Sequence, residues 1–190
     1  VYTISVCVTD TAGDSHCDSK SATVTNVTPT TGSVANTTIN EGSTYTLDLS
    51  FTDPGFDSAD AGTTEDFTAT VDWGDGQTEP ASGITVHEGT GGVGILTTGS
   101  VQATHTYQQN GTFTLTVCLS DDDSGQSCES ATVTVNNVAP VMTVTSNSID
   151  EGSVATFNGT IEDPGVADSF TLTVDWADGS PIYTHVYPAG

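Results

Sequence analysis

Four cysteines and a large surplus of carboxylates are the residues here with chemistry to offer. Cys7 and Cys17 enclose "VTDTAGDSH", and Cys118 and Cys128 enclose "LSDDDSGQS" at the same spacing. If each enclosed stretch is a hairpin tip, the two members of a pair face one another on adjacent strands, within disulfide reach. Four cysteines allow three connectivities. Local pairing, Cys7–Cys17 and Cys118–Cys128, is the one that fits the duplication. Zinc is the other use for paired cysteines, but the spacing is wrong for it and His16 is the one histidine close to either pair. A bridge over so short a loop contributes about 2–3 kcal/mol in the chain-entropy account. It also implies an oxidising compartment.

Nucleophilic and hydrolytic chemistry is not encoded in any recognisable form. The sequence has no Ser/His/Asp set, no phosphate-binding Gly-rich loop and no HExxH. Carboxylates stand next to each other often, but a general acid needs a shielded pocket to raise its pKa, and nothing in the pattern builds one. The expectation is that the chain is not an enzyme. The acids number 25 against one base, Lys20, for a net charge of −24. Nucleic acid is excluded as a partner, since nothing can neutralise phosphates. An anionic membrane surface is excluded for the same reason. No apolar run approaches the roughly 20 residues needed to cross a bilayer. A fold this acidic either tolerates self-repulsion or recruits cations.

The elements that must carry these residues are strands. "FTLTVCL" sets Phe113, Leu115, Val117 and Leu119 on one face, with Thr114, Thr116 and Cys118 on the other. "DFTATVDW" aligns Phe67, Ala69, Val71 and Trp73, and "SFTLTVDW" aligns Phe170, Leu172, Val174 and Trp176. Such alternation, rich in Thr and Val, is half-buried β-strand. Turn clusters such as "DPG", "WGDG", "DDDSG" and "NNVAP" divide the strands. The expected fold is all-β, an antiparallel sandwich with both tryptophans in the core.

The chain also repeats itself. "EGSTYTLDLSFTDPG" from Glu41 returns as "EGSVATFNGTIEDPG" from Glu151, and "VDWGDG" at 71–76 returns as "VDWADG" at 174–179. "ATVTNVTP" at 22–29 matches "ATVTVNNVAP" at 131–140, and "YTISVCVTD" at the front matches "FTLTVCLSD" at 113–121. Three segments follow: 27–136 as an intact unit, 1–26 as the last strands of a unit, and 137–190 as the first part of another. Reading "HVYPAG" on into "VYTISVCVTD" restores the phrase "HTYQQNGTFTLTVCLSD". The chain opens without an initiator Met or a leader and reads as one period excised from a longer array. The intact unit is lengthened near 56–65 and by an inserted hairpin, with a Gly-rich tip, near 80–100.

"VDWGDG", then "HTYQQNGTFTLTVCLSDDDSG", then "ATVTVNNVAP" resembles a polycystic-kidney-disease (PKD) repeat, and "VDWADG", "HVY", "VYTISVCVTD" and "ATVTNVTP" give the same series in the split unit. The likeness covers the whole chain apart from the 80–100 insertion; the cysteine pairs depart from many such repeats. It implies tandem immunoglobulin-like sandwiches of about seven strands in an extracellular or cell-surface protein, non-catalytic, serving as spacers or interaction modules. His105 with Tyr107, and His185 with Tyr187, are expected to be structural corners.

In immunoglobulin topology the loops at one end of a unit meet those of its neighbour, which gathers acids at the junctions. One junction would collect Glu41, Asp75, Asn136, Asn137, Asp163 and, across the seam, Asp10. The other would collect Glu151, Asp178, Asn26, Asp53 and Asp121. Carboxylates, amides and carbonyls are the hard oxygen ligands that calcium takes, so calcium is the expected cofactor. The competing readings are turn chemistry and a halophile-like acidic surface. Asn26, Asn36, Asn110 and Asn158 each head an N-x-Thr sequon and are candidate glycan sites. The expected function is structural: one period of a head-to-tail surface fibre or stalk, whose partners are copies of itself. An adhesive module that binds glycan or a cell-surface partner is the alternative, and an accessory region of a secreted hydrolase is the third reading.

Overall fold

The computed structural model describes residues 1–77 and 83–189. The protein is all-β, and no α-helix occurs among the described residues. Two strands open the chain, β1 (Tyr2–Thr9) and β2 (Ser15–Ala22), and among the described residues they form a sheet only with each other. Asp10 makes the tip between them, its carboxylate accepting from Ala12 N at 2.9 Å and Asp14 N at 3.0 Å.

A complete sandwich follows. Its strands are β3 (Thr30–Thr31), β4 (Thr37–Asn40), β5 (Thr44–Asp53), β6 (Phe67–Asp72), β7 (Ile84–Glu88), β8 (Thr97–Thr106), β9 (Gly111–Asp121) and β10 (Gln126–Asn136). One sheet has the order β4-β10-β9-β6 and the other β3-β5-β8-β7. The alternation legible in the sequence decides which face is buried. Leu115, Val117 and Leu119 of β9 are fully buried, with Phe113 at the margin, and they meet Leu47, Leu49 and Phe51 of β5 and Val101 of β8. Trp73 is fully enclosed, and the Tyr107 hydroxyl donates to its carbonyl oxygen at 3.0 Å. His105 stacks on the Trp73 indole and takes the Asp75 carboxylate at 2.8 Å.

The antiparallel expectation needs one correction, since β4 runs parallel to β10. A single edge strand is shared between the two sheets. Its first half, β3, pairs antiparallel with β5; the chain then crosses the sandwich edge and lies along β10. The inserted hairpin is present as β7 against β8, from Ile84↔Ala103 to Glu88↔Gly99. Its first residues, 78–82, lie outside the described residues, as does Gly190 at the seam.

The last segment supplies β11 (Val141–Val144), β12 (Gly159–Glu162), β13 (Phe170–Val174) and β14 (Tyr183–Tyr187). β11 and β12 pair as β3 and β5 do. β13 and β14 do not follow the sandwich: their counterparts β6 and β8 belong to opposite sheets, yet β13 and β14 pair with each other. In the sandwich β6 bonds to β9. β13 has no such strand beside it, and an exposed row of backbone donors and acceptors takes the partner within reach. The expectation of a buried Trp176 is overturned for the same reason. It is 46% exposed where Trp73 is 0% exposed, because no second sheet closes over it. Tyr2, Ile4, Val6 and Val8 of β1 are also exposed, so the two ends of the chain are not packed together.

Candidate metal centre

The two disulfides are Cys7–Cys17 and Cys118–Cys128, with Cα atoms 4.0 and 4.1 Å apart. Each joins directly opposite residues of a hairpin, in the same register in β1–β2 and in β9–β10. Cys118–Cys128 lies off the core face, and since all four cysteines are bridged no thiolate is left for zinc.

The carboxylates concentrate where the sandwich meets the segment that follows it. Glu41 sits in a tight turn between β4 and β5. Gly42 there has φ of +74°, a conformation that glycine adopts without steric cost. The turn is tied down by Glu41 N to Asn136 O at 3.0 Å and Gly42 N to Tyr107 O at 2.8 Å. The Glu41 side chain, only 2% exposed, then reaches over the linker and accepts from Val138 N at 2.7 Å through Oε1. Its Oε2 is buried without a partner.

The segment after the linker brings two more acids to the same point. Asp163 directly follows β12 and begins the Asp-Pro-Gly turn, where Oδ1 accepts from Gly165 N at 2.7 Å and Oδ2 is buried without a partner. Asp168 closes that loop and accepts from Gln109 Nε2 at 3.2 Å. Ligand atoms of Glu41, Asp163 and Asp168 all lie within 4.8 Å of one another. Oxygens about 2.3–2.6 Å from a shared calcium ion span about that separation. No basic residue balances the three charges: Lys20, the sole one, is at the surface with Asp18 at 3.1 Å. Glu41 is buried and Asp163 keeps a buried unpartnered oxygen, an arrangement that is unfavourable for carboxylates without a counter-charge, so this group could hold a metal ion. The backbones are also close. A Cβ on Gly42 would stand 2.6 Å from Pro164 Cβ.

The other end of the sandwich has a related group. Asp53 ends β5 in a second Asp-Pro-Gly turn; Oδ1 accepts from Gly55 N at 2.6 Å and Oδ2 is buried without a partner. Glu65 lies beside it with Oε1 in the same condition. Asp121 accepts from Gly125 N at 2.6 Å and from Asn26 Nδ2 at 2.8 Å. Burial pushes the Glu65 carboxyl up to about 7, helped by Asp53 and then by Asp122, Asp121 and Asp123. Asp53 is raised as well, by burial first and by Asp121 more weakly, against the opposing Gly55 hydrogen bond.

Of the acids expected at the first junction, the structure joins Glu41 and Asp163. Asp75 is not with them, being held by His105, and Asp10 stays in the β1–β2 tip. Asn136 gives its carbonyl to Glu41 N while its side chain turns to Asn40, and the Asn137 amide bonds to Val138 O. At the other junction Asn26, Asp53 and Asp121 come together, whereas Glu151 is exposed and Asp178 caps its own turn at Ser180 N, 2.9 Å away. Asp168 and Glu65 were missed. Each stands two residues before the phenylalanine that starts the repeated strand, Phe170 and Phe67. That position was the available signal, hidden by the longer loop after the first Asp-Pro-Gly.

Among the sequons, Asn36 Oδ1 accepts from Thr132 N at 2.8 Å and Asn110 Oδ1 from Gln109 Nε2 at 2.9 Å. The Asn158 carbonyl accepts from Thr145 N, and the Asn26 amide nitrogen is engaged with Asp121. No family model and no curated protein matches this chain.

Proposed function

We propose that the chain is one period of an extracellular, head-to-tail array of PKD-type sandwiches, a non-catalytic stalk or fibre whose junctions are stiffened by calcium. The observation that carries this is Glu41. A buried carboxylate of one unit reaches across the linker to Asp163 and Asp168 of the next, where a cation would tie the two units together. Calcium suits the site, because it accepts several oxygen ligands in an irregular arrangement. The pairing of β13 with β14, and the open apolar face of β1, fit a unit divided between 137–190 and 1–26 and completed by the next copy. Completion by continuity or by donated strands gives an open line of units. The disulfides suit an oxidising exterior. His105 and Tyr107, the side chains most apt for catalysis, are committed to Asp75 and to the Trp73 carbonyl.

Calcium titration with E41Q tests the reading. The wild-type chain is expected to gain melting temperature with calcium and to lose it with chelator, and E41Q to lose most of that response. Equal stabilisation by sodium chloride at matched ionic strength, with E41Q unaffected, would reduce the acids to a solvated surface. The adhesive alternative draws on the β7–β8 tip, where Val93 is 91% exposed and Ile95 and Leu96 are exposed among glycines. Loss of surface adhesion on replacing these three by Ser would favour it.

A further inference from the structure

The two Asp-Pro-Gly turns are near copies, but only one is met by the glutamate of a Glu-Gly turn. At the first, Gly165 N holds Asp163 Oδ1, and Gly165 lies against both Asp163 and Asp168. At the second, Gly55 N holds Asp53 Oδ1, and Gly55 lies against both Asp53 and Glu65. Asp163 and Asp168 face Glu41. Asp53 and Glu65 have Asp121 beside them, its oxygens taken by Asn26 Nδ2 and Gly125 N, but among the described residues no glutamate of a Glu-Gly turn reaches them; they are 1% and 7% exposed and each has an oxygen buried without a partner.

The missing group exists elsewhere in the chain. Glu151-Gly152 repeats the turn Glu41-Gly42, with Gly152 at φ +79° against +74° for Gly42. Gly42 is packed on Pro164, whereas nothing lies within 4 Å of a Cβ placed on Gly152, and Pro54 is exposed. Glu151 is exposed as well. A cleft of about 840 Å³ opens beside Pro54, Gly55 and Glu65, with Asn26 and Val27 on its wall. Val27 holds the linker position that Val138 holds at the first junction, where its N–H binds Glu41.

We infer that Asp53 and Glu65, with Asp121 adjoining, form a second divalent-cation site that is completed by Glu151 of a second copy of this chain. Glu151 enters the cleft as Glu41 approaches Asp163, Gly152 seats on Pro54, and the cation joins one copy to the next. The inference rests on reading Glu41, Asp163 and Asp168 as a cation site, and it adds the partner and the ligand that the other junction requires.

Sedimentation velocity in calcium chloride or in chelator, with calcium counted by equilibrium dialysis, tests it on the full chain. Dilute wild-type chain is expected to bind one calcium ion. A second is taken up as protein concentration rises and the chains associate. E65Q and E151Q should each stay monomeric and keep one calcium. Mixed in equal amounts they should form dimers and nothing longer, since E151Q retains an intact cleft and E65Q an intact glutamate. E41Q should still associate in calcium. Far-ultraviolet circular dichroism checks that each variant is folded. Association of E151Q equal to wild type, or a mixture that stays monomeric, overturns the proposal. Loss of calcium-driven association in E41Q would do so too. If E41Q instead binds as much calcium as wild type while E65Q and E151Q behave as stated, the first junction's reading falls and this one stands.

Discussion

Glu65 is the residue at which burial, charge and a missing partner conflict most openly. Its carboxyl is pushed up to about 7 from an ordinary 4.5, by burial first and then by the surrounding aspartates. Between those two values the folded chain keeps a proton that the unfolded chain has released. By linkage, the stabilisation from this proton is complete below about pH 4.5 and is lost as pH rises through about 7. Asp53, also raised, acts in the same direction. In chelator the melting temperature should therefore rise when pH is lowered from 8 to 5. E65Q should flatten part of that rise, because glutamine is neutral throughout. A melting temperature equally pH-dependent in wild type and E65Q would remove Glu65 as the cause.

Two hairpins of identical register, each closed by a disulfide, show how much context decides an element's worth. β9–β10 is the centre of a sheet and buries Leu115, Val117, Leu119, Val133 and Val135, whereas β1–β2 buries almost nothing. An isolated two-stranded hairpin is marginal in water, so the Cys7–Cys17 bridge matters for whether β1–β2 holds its register at all. The Cys118–Cys128 bridge adds to strands already held by packing. Replacing both Cys118 and Cys128 by Ala should cost about 2–3 kcal/mol in urea unfolding and leave the sandwich folded. Replacing Cys7 and Cys17 should leave the sandwich transition unchanged while amide exchange in residues 2–22 becomes fast. Loss of the sandwich transition in the second variant would show that β1–β2 supports it in a way these contacts do not account for.

For the whole molecule the governing facts are the charge of −24 and the apolar faces at its two ends. The segment 137–189 has half of a core. Phe170, Leu172 and Val174 are only partly covered, and Trp176 stands 46% exposed. Fully burying each such side chain is worth about 1.5–3 kcal/mol, which would drive the proposed completion by a further copy. A chain continued after Gly190 by a second copy of residues 1–26 should move β13 from β14 to the new β1-type strand. Trp176 would then be enclosed as Trp73 is. The measurable result is a blue-shifted tryptophan emission and loss of acrylamide quenching in the continued chain. Continued quenching of one of the two tryptophans would count against completion.

The sequence by itself determined what depends on periodicity and duplication. Alternation along 67–73 and 113–119 specified strands and their buried faces, because a strand's side chains change face at every residue. The matched spacing of the cysteines specified the hairpin register, and the repeated Glu-Gly and Asp-Pro-Gly turns pointed to acids at the junctions, Glu41 and Asp163 among them. Tertiary structure alone decided which acids share a site. Asp75 and Asp178 were as plausible as Asp168 and Glu65 in the sequence, but a carboxylate's direction depends on what else claims it. Asp75 is claimed by His105, and Asp178 by its own turn. The exposure of Trp176 was equally hidden, since its strand pattern is the same as that of Trp73. Pattern states which face seeks burial, and whether a second sheet is there to bury it is settled only when the strands are assembled.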